Sequence, residues 1–200
     1  MECISAFGLS QSGIKYTEKQ KKLIEECDSV ILQEGIDLYI DKTPIPVTGV
    51  WSLDVEHNEQ GVFVGIGLSH EKVCPYFTKI DKWLATTIEN LQLIMHNGVS
   101  DIECLRTWGV NVRDEQLIHD TMLIGHLLDS SLKSYGLKDM TKRELGIIYP
   151  SYEDIVGKRG LKTPRITLDK QPLELVSKYC SLDAYAAYRL YERQKKATGL

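Results

Sequence analysis

The stretch Val47-Thr48-Gly49-Val50-Trp51-Ser52-Leu53-Asp54-Val55-Glu56 decides the fold. Val50, Ser52, Asp54 and Glu56 fall on one face, and Trp51, Leu53 and Val55 on the other. A side-chain period of two is the signature of a strand. His57-Asn58-Glu59-Gln60-Gly61 reads as a turn. A second alternating run follows from Val62 to Leu68, carrying Val62, Val64, Ile66 and Leu68, and a third strand is predicted over Val73 to Phe77. The short links make these three an antiparallel meander.

Downstream, the pattern becomes strands alternating with helices. A helix is predicted over Asp81 to Leu91, and Leu93-Ile94-Met95 is a short apolar run of buried-strand type ending at His96-Asn97. Asp101 to Trp108 reads as a helix opened by a Ser100/Glu103 capping box. Leu117-Ile118-His119 is a further short strand, and the chain after Asp120 is mostly helical. The last helix begins near Pro172, with Leu173, Val176, Cys180, Ala186, Ala187 and Leu190 as its apolar stripe. The expected class is α/β, a mixed five-stranded sheet flanked by helices.

Upstream, Thr17-Glu18-Lys19-Gln20 fits a helix-start box, with a polar helix running to about Gln33. Thr43-Pro44-Ile45-Pro46 then breaks regular structure. Residues 1–46 are therefore read as a helical N-terminal extension, either a packed arm or a docking element, and residues 47–200 as the main domain.

The chain has 200 residues, 42% hydrophobic and 26% charged, an ordinary globular composition that excludes disordered and collagen-like classes. No run approaches the roughly 20 apolar residues of a membrane span. The five cysteines form no CxxC pair, so neither a disulfide framework nor a zinc knuckle is suggested. Met1-Glu2-Cys3 has an acid where a signal peptide carries basic residues. The expectation is a cytoplasmic protein with no membrane partner. The net charge of −4 excludes a uniformly basic nucleic-acid-coating protein, but charge is uneven. Residues 1–132 carry ten Lys and Arg against twenty Asp and Glu, whereas residues 133–170 carry nine against five. The surplus at Lys138, Lys142, Arg143, Lys158, Arg159, Lys162 and Arg165 is either a solvated face or a local phosphate-binding patch.

Three groups could carry chemistry. Asp54 and Glu56, at i and i+2 on a partly buried strand, point the same way. They repel each other unless protonated or neutralised by a cation; the plain alternative is a solvent-facing strand end. Asn97 and Asp101 follow an apolar strand at the opening of a helix, where α/β sheets place ligands and where Asn and Asp also serve as caps. Tyr179 and Asp183, at i and i+4, lie one turn apart on one helix face; the alternative is a buried ring beside an edge carboxylate. Taken together, four acids from three separated elements are what a two-cation site needs. Mg²⁺ takes hard oxygen ligands, and paired ions can activate a water and stabilise a leaving 3′ oxygen. That reading requires the space between the carboxylates to be free of a Lys or Arg.

The motifs Leu53-Asp54-Val55-Glu56, Asn97-Gly98-Val99-Ser100-Asp101 and Tyr179-Cys180-Ser181-Leu182-Asp183 occur in the order D-x-E, N-x3-D, Y-x3-D. In this the chain resembles the 3′–5′ exonuclease domain of DNA polymerase I, in the tyrosine branch of the DEDD exonucleases, a ribonuclease H-like superfamily. His119-Asp120-Thr121-Met122-Leu123 and Leu132-Lys133-Ser134-Tyr135-Gly136-Leu137 are similar too, so the resemblance covers about residues 47–195. The histidine branch has His five residues before the last Asp, where this chain has Lys178.

The resemblance implies two divalent cations, Mg²⁺ or Mn²⁺. It implies that Asp54 bridges both, that Glu56 and Asp183 complete the coordination of the first ion, and that Asp101 holds the second ion largely through water. Tyr179 hydrogen-bonds the attacking water, Asn97 contacts the terminal nucleotide, and His57, where the family often has a small hydroxyl residue, contacts the terminal sugar or phosphate. Gln60 is a poor wedge against the terminal base. The implied reaction releases nucleoside 5′-monophosphates from the 3′ ends of single-stranded or frayed DNA, in proofreading, replication or repair, by a free-standing enzyme or alongside a separate DNA polymerase subunit. The basic segment 133–170 then reads as a track for single-stranded backbone. The rival expectations are an RNA 3′-trimming exonuclease of the same fold and a non-catalytic nucleic-acid- or polymerase-binding module.

Overall fold

A computed structural model of the chain describes residues 15–158 and 165–199. Arg159 and Lys162 of the basic segment lie outside the described residues, as do residues 1–14. The Thr17 box forms. Its hydroxyl accepts the Gln20 amide at 3.2 Å, while the Gln20 side chain accepts the Thr17 amide at 2.9 Å. This opens α1 (Glu18–Glu34). Then follow β1 (Asp37–Ile40), β2 (Val50–His57), β3 (Phe63–Ser69), β4 (Val73–Phe77), α2 (Lys82–Ile88), β5 (Gln92–Met95), α3 (Gly98–Thr107), β6 (Leu117–Asp120), α4 (Thr121–Leu128), α5 (Leu137–Leu145), α6 (Tyr152–Val156) and α7 (Leu173–Thr198).

The sheet order is β1-β4-β3-β2-β5-β6. β2, β3 and β4 form the expected antiparallel meander, and β5 and β6 add in parallel on the β2 side. The sheet is mixed and flanked by helices, with six strands rather than five. The added strand is β1, which pairs in parallel with β4. Its four residues, Asp37-Leu38-Tyr39-Ile40, are too few to show alternation, and their strand conformation comes from the neighbour rather than from local preference. They belong to the segment read as an N-terminal extension.

Two apolar layers cover the sheet. Trp51, Leu53 and Val55 of β2 pack with Leu84, Ile88, Ile102 and Leu105 under α2 and α3. The opposite face packs under α7, with Cys27 and Ile31 of α1 and Tyr76 of β4 beside Leu175, Val176 and Leu182. Every residue of α7 from Leu175 to Tyr188 is buried, as expected of a helix enclosed on all sides; Leu173, placed in the stripe by sequence, is exposed. Lys178 has turned to α1, its Nζ 2.7 Å from Asp28 Oδ1 and 2.9 Å from Glu174 Oε1. Tyr185 donates to Glu34 at 2.8 Å, further tying α1 to α7. Among the described residues no helix is long and apolar enough to cross a membrane.

Candidate active site

Asp54 and Glu56 lie on the face of β2 that looks at α7. Two residues earlier on that face, Ser52 Oγ sits 2.7 Å from the Ala184 carbonyl of α7, so helix and strand are in direct contact. Their approach depends on β3, where Asp54 pairs with Gly67 and Glu56 with Gly65. A Cβ at Gly67 would stand 2.8 Å from the Cys180 carbonyl oxygen, and one at Gly65 would overlap the Tyr76 ring. Gly67 therefore lets α7 sink onto the sheet beside the two acids, and Gly65 makes room for the Tyr76 ring of β4. A register shift between Glu56 and His57 ends the regular β2–β3 pairing, as bulges do where a side chain must be re-aimed.

Asn97 and Asp101 are set by the turn from β5 into α3. Asn97 is in the left-handed region, φ 62°, at the N-cap without a side-chain capping bond. The helix thus starts at Gly98, earlier than predicted, and the Ser100/Glu103 box is not what opens it. The cap is supplied from outside: Asp120 accepts the amides of Asn97 at 3.1 Å and Gly98 at 2.8 Å, and also those of Met122 and Leu123 at the start of α4. One carboxylate so holds two helix starts, which is favourable because both present unpaired N–H groups. Asp101, one turn into α3, is half-buried; Asn97 is exposed.

Tyr179 and Asp183 are both buried on α7. Asp183 Oδ1 accepts the Tyr149 hydroxyl at 2.6 Å and is ion-paired with Lys138 Nζ. Tyr149, between α5 and α6, was not singled out by sequence; its spacing matches no motif. Lys138 was read as part of a backbone track, and the structure turns it inward instead. Its ammonium lies 3.6 Å from the centroid of the Tyr149 ring and 4.4 Å from that of Tyr179. The space between the carboxylates is therefore not free of a basic group. Elsewhere in the segment, Arg165 pairs with Glu59 at 2.8 Å and Arg143 with Glu144 at 3.2 Å, while Lys142 and Lys158 are exposed.

Asp54 and Glu56 bring carboxylate oxygens within 4.8 Å of one another, and the charges of Asp183 and Asp101 act on both. Burial pushes the Asp54 carboxyl well above the usual range, and Glu56, Asp183 and Asp101 push it further. Glu56 is raised by burial and then by Asp183, against the opposing Lys138. Asp101 is pushed up to about 8 by burial, Asp120 and Asp183. The Tyr179 phenol is raised by burial and by Asp183, Glu56 and Asp54. Such mutual repulsion is what a cation relieves. The donors are hard carboxylate oxygens, which fit Mg²⁺ or Mn²⁺. Cys180 Sγ also comes within 4.8 Å of ligand oxygens of Asp54 and Glu56, but burial raises its thiol pKa first, so it stays protonated and a poor ligand.

His57 is half-buried, its Nδ1 2.9 Å from the Asn58 carbonyl. With Glu56, Tyr152 and Arg165 it lines a cleft of about 700 Å³. Gln60 is exposed in the turn beyond. His96, which the sequence marks only as a strand end, donates or accepts through Nδ1 with Thr121 at 2.8 Å, and its Nε2 is buried with no hydrogen-bond partner among the described residues.

A mixed sheet with an acid cluster facing a buried helix defines an α/β protein of ribonuclease H-like fold. Residues 52–197 match the family described as 3′-5′ exonuclease, and the chain belongs to this DNA polymerase I-type exonuclease family. It is 30% identical over 126 residues to DNA polymerase DpoZ of Acinetobacter phage SH-Ab 15497, covering 60% of this chain and 19% of that protein. It is 32% identical over 104 residues to DNA polymerase I of Synechocystis sp., covering 52% and 10%. The chain thus spans less than a fifth of the length of these relatives. Among solved structures, Brucella melitensis NrnC with bound Mg²⁺ superimposes with a TM-score of 0.55 at 13% identity, covering 81% of this chain and 83% of that one. Escherichia coli RNase D, an exoribonuclease involved in structured RNA processing, gives 0.54 at 14% identity, covering 93% and 46%.

Proposed function

We propose that this chain is a two-metal-ion 3′–5′ exonuclease that removes nucleotides from single-stranded or frayed DNA 3′ ends. The observation that carries it is that β2, α3 and α7 bring Asp54, Glu56, Asp101 and Asp183 near enough for their charges to act on one another, with carboxylate oxygens of Asp54 and Glu56 within 4.8 Å. DNA is favoured over RNA because the relatives recognisable by sequence are DNA polymerases.

Asp54, Glu56 and Asp183 would hold one divalent cation, and Asp54 with Asp101 a second. Bound cations of this kind supply a lowered water pKa and charge stabilisation for the leaving oxygen. Asp183 is kept in place for this by the Tyr149 hydroxyl. Tyr179, its phenol pKa raised, keeps its proton at neutral pH and serves as a donor that orients the attacking water rather than as a base. The water oxygen forms the new bond to phosphorus, the bond from phosphorus to the 3′ oxygen breaks, and the 3′ oxygen takes up a proton. Asn97, at the N-cap of α3, and His57, in the cleft it shares with Glu56, are the residues we assign to the terminal nucleotide. Lys138 fails the requirement set from the sequence, that the space between the carboxylates be free of a basic group; we keep the reading because one ammonium cannot balance four carboxylates and its side chain, a quarter exposed, sits on a flexible stem.

The test is digestion of 3′-labelled single-stranded, paired and mismatched DNA, with matched RNA, in Mg²⁺ or Mn²⁺. Mononucleotides should be released from DNA, and Asp54→Ala should abolish the reaction. Activity retained in Asp54→Ala would overturn the proposal; a preference for RNA would move it to 3′ trimming.

A further inference from the structure

Lys138 invites a question of its own, because a lysine in a metal site is at odds with the site's purpose. Three contacts place it there: the ion pair with Asp183, and its ammonium against the faces of Tyr149 and Tyr179. A carboxylate with two aromatic faces is a cage for a cation. The same Asp183 is the acid that Tyr149 holds in place. The lysine reaches in from the first turn of α5, beginning at Leu137, and α5 packs directly on α7. Lys142, one turn further along α5, is exposed.

From this geometry we infer that Lys138 is an internal cation that occupies the cluster in the metal-free protein and competes with divalent metal for Asp183. Metal entry displaces the ammonium from the cage toward solvent. The inference rests on the metal-site reading above and extends it: the apparent metal affinity is set by the fraction of molecules in which the lysine has left. The device protects the fold from four uncompensated acids when metal is scarce and raises the metal concentration at which the site loads.

The experiment titrates Mn²⁺ into the full chain by calorimetry, comparing wild type with Lys138→Met and Lys142→Met. Lys138→Met should bind roughly 5- to 150-fold more tightly, the range of ordinary coupling between sites, and melt at a lower temperature without metal. Lys142→Met, which removes the same charge one turn away, should bind like wild type. Equal affinity in Lys138→Met and wild type overturns the inference while leaving the metal site intact, and equal tightening in both variants shows a diffuse charge effect and overturns it too. A wild-type chain that binds no Mn²⁺ removes the metal-site reading, and this inference with it. A second readout needs no variant: Mg²⁺ should expose the Lys138 amine to an acylating reagent, read by mass spectrometry. Unchanged labelling at saturating Mg²⁺ also overturns the inference.

Discussion

Asp183 has one oxygen engaged by two partners of opposite consequence. The Tyr149 hydroxyl at 2.6 Å orients the carboxylate without neutralising it, whereas Lys138 neutralises it. A hydrogen-bond partner behind a metal ligand fixes its direction, and losing one typically costs about 10–100-fold in metal affinity. Tyr149→Phe should therefore weaken Mn²⁺ binding by about that factor, in the direction opposite to Lys138→Met, measured by the same titration. Tyr179 also faces the ammonium, 4.4 Å from its ring centroid, and among the described residues it makes no hydrogen bond to a carboxylate. Tyr179→Phe should lower turnover by about 100-fold, the lower end for removal of a proton-handling group, and leave Mn²⁺ affinity within a factor of about two to three. A large loss of metal affinity in Tyr179→Phe would mean that the phenol supports the ions rather than the water. These residues also mark a boundary of what could be read beforehand. Asp54, Glu56, Asp101, Tyr179 and Asp183 announce themselves by spacing within one strand or one helix. Tyr149 and Lys138 reach Asp183 across 34 and 45 residues of chain, and no local period reports such a contact.

At the scale of elements, the site is an agreement between β2, β3 and α7 about distance. The strand facing α7 must be thin where the helix crosses it, and Gly67 makes it so. Gly67→Ala would bring a methyl to 2.8 Å from backbone of α7, which the helix can relieve only by moving away. Overpacking of this kind costs about 1–3 kcal/mol. The variant should unfold at lower denaturant concentration and bind Mn²⁺ less tightly, because the shift separates Asp183 from Asp54. If stability falls while Mn²⁺ affinity is unchanged, the spacing of helix and strand does not set the site. The alternation that revealed β2 and β3 was legible because both strands have one apolar face packed under α2 and α3. β1 carried no such signal, being four residues long and held by β4. The start of α3 was misplaced for a related reason: its cap is Asp120, an acid from another element, so the local Ser100/Glu103 pattern had nothing to do. Lys178 shows the same limit. Its position excluded the histidine branch, but its partners on α1 could be seen only in the fold.

For the whole molecule, these contacts combine into a dependence on pH and metal that can be signed in advance. Asp101 sits at about 8 against an ordinary 3.8, and Asp54 and Glu56 are raised for the same reasons. Between those values the folded chain holds protons that the unfolded chain has released. Stability rises with pH only where the unfolded state binds more protons; here the folded state binds more. The contribution is fully present below the ordinary carboxylate range and is lost as pH rises through about 8. Without metal, the protein should therefore melt at a lower temperature at about pH 8.5 than at about pH 5.5. A divalent cation reverses this, since it binds the ionised cluster in the folded state alone and stabilises by mass action. Its hold must strengthen as protons leave the ligands. The rise in melting temperature caused by millimolar Mn²⁺ should then be small at the lower pH and large at the higher one, by scanning calorimetry with chelator as the reference. Asp101→Asn should flatten the metal-free pH dependence, because an amide has no proton to lose. A metal-induced shift of equal size at both pH values would mean that the ion binds elsewhere, on acids whose ionisation the fold does not perturb.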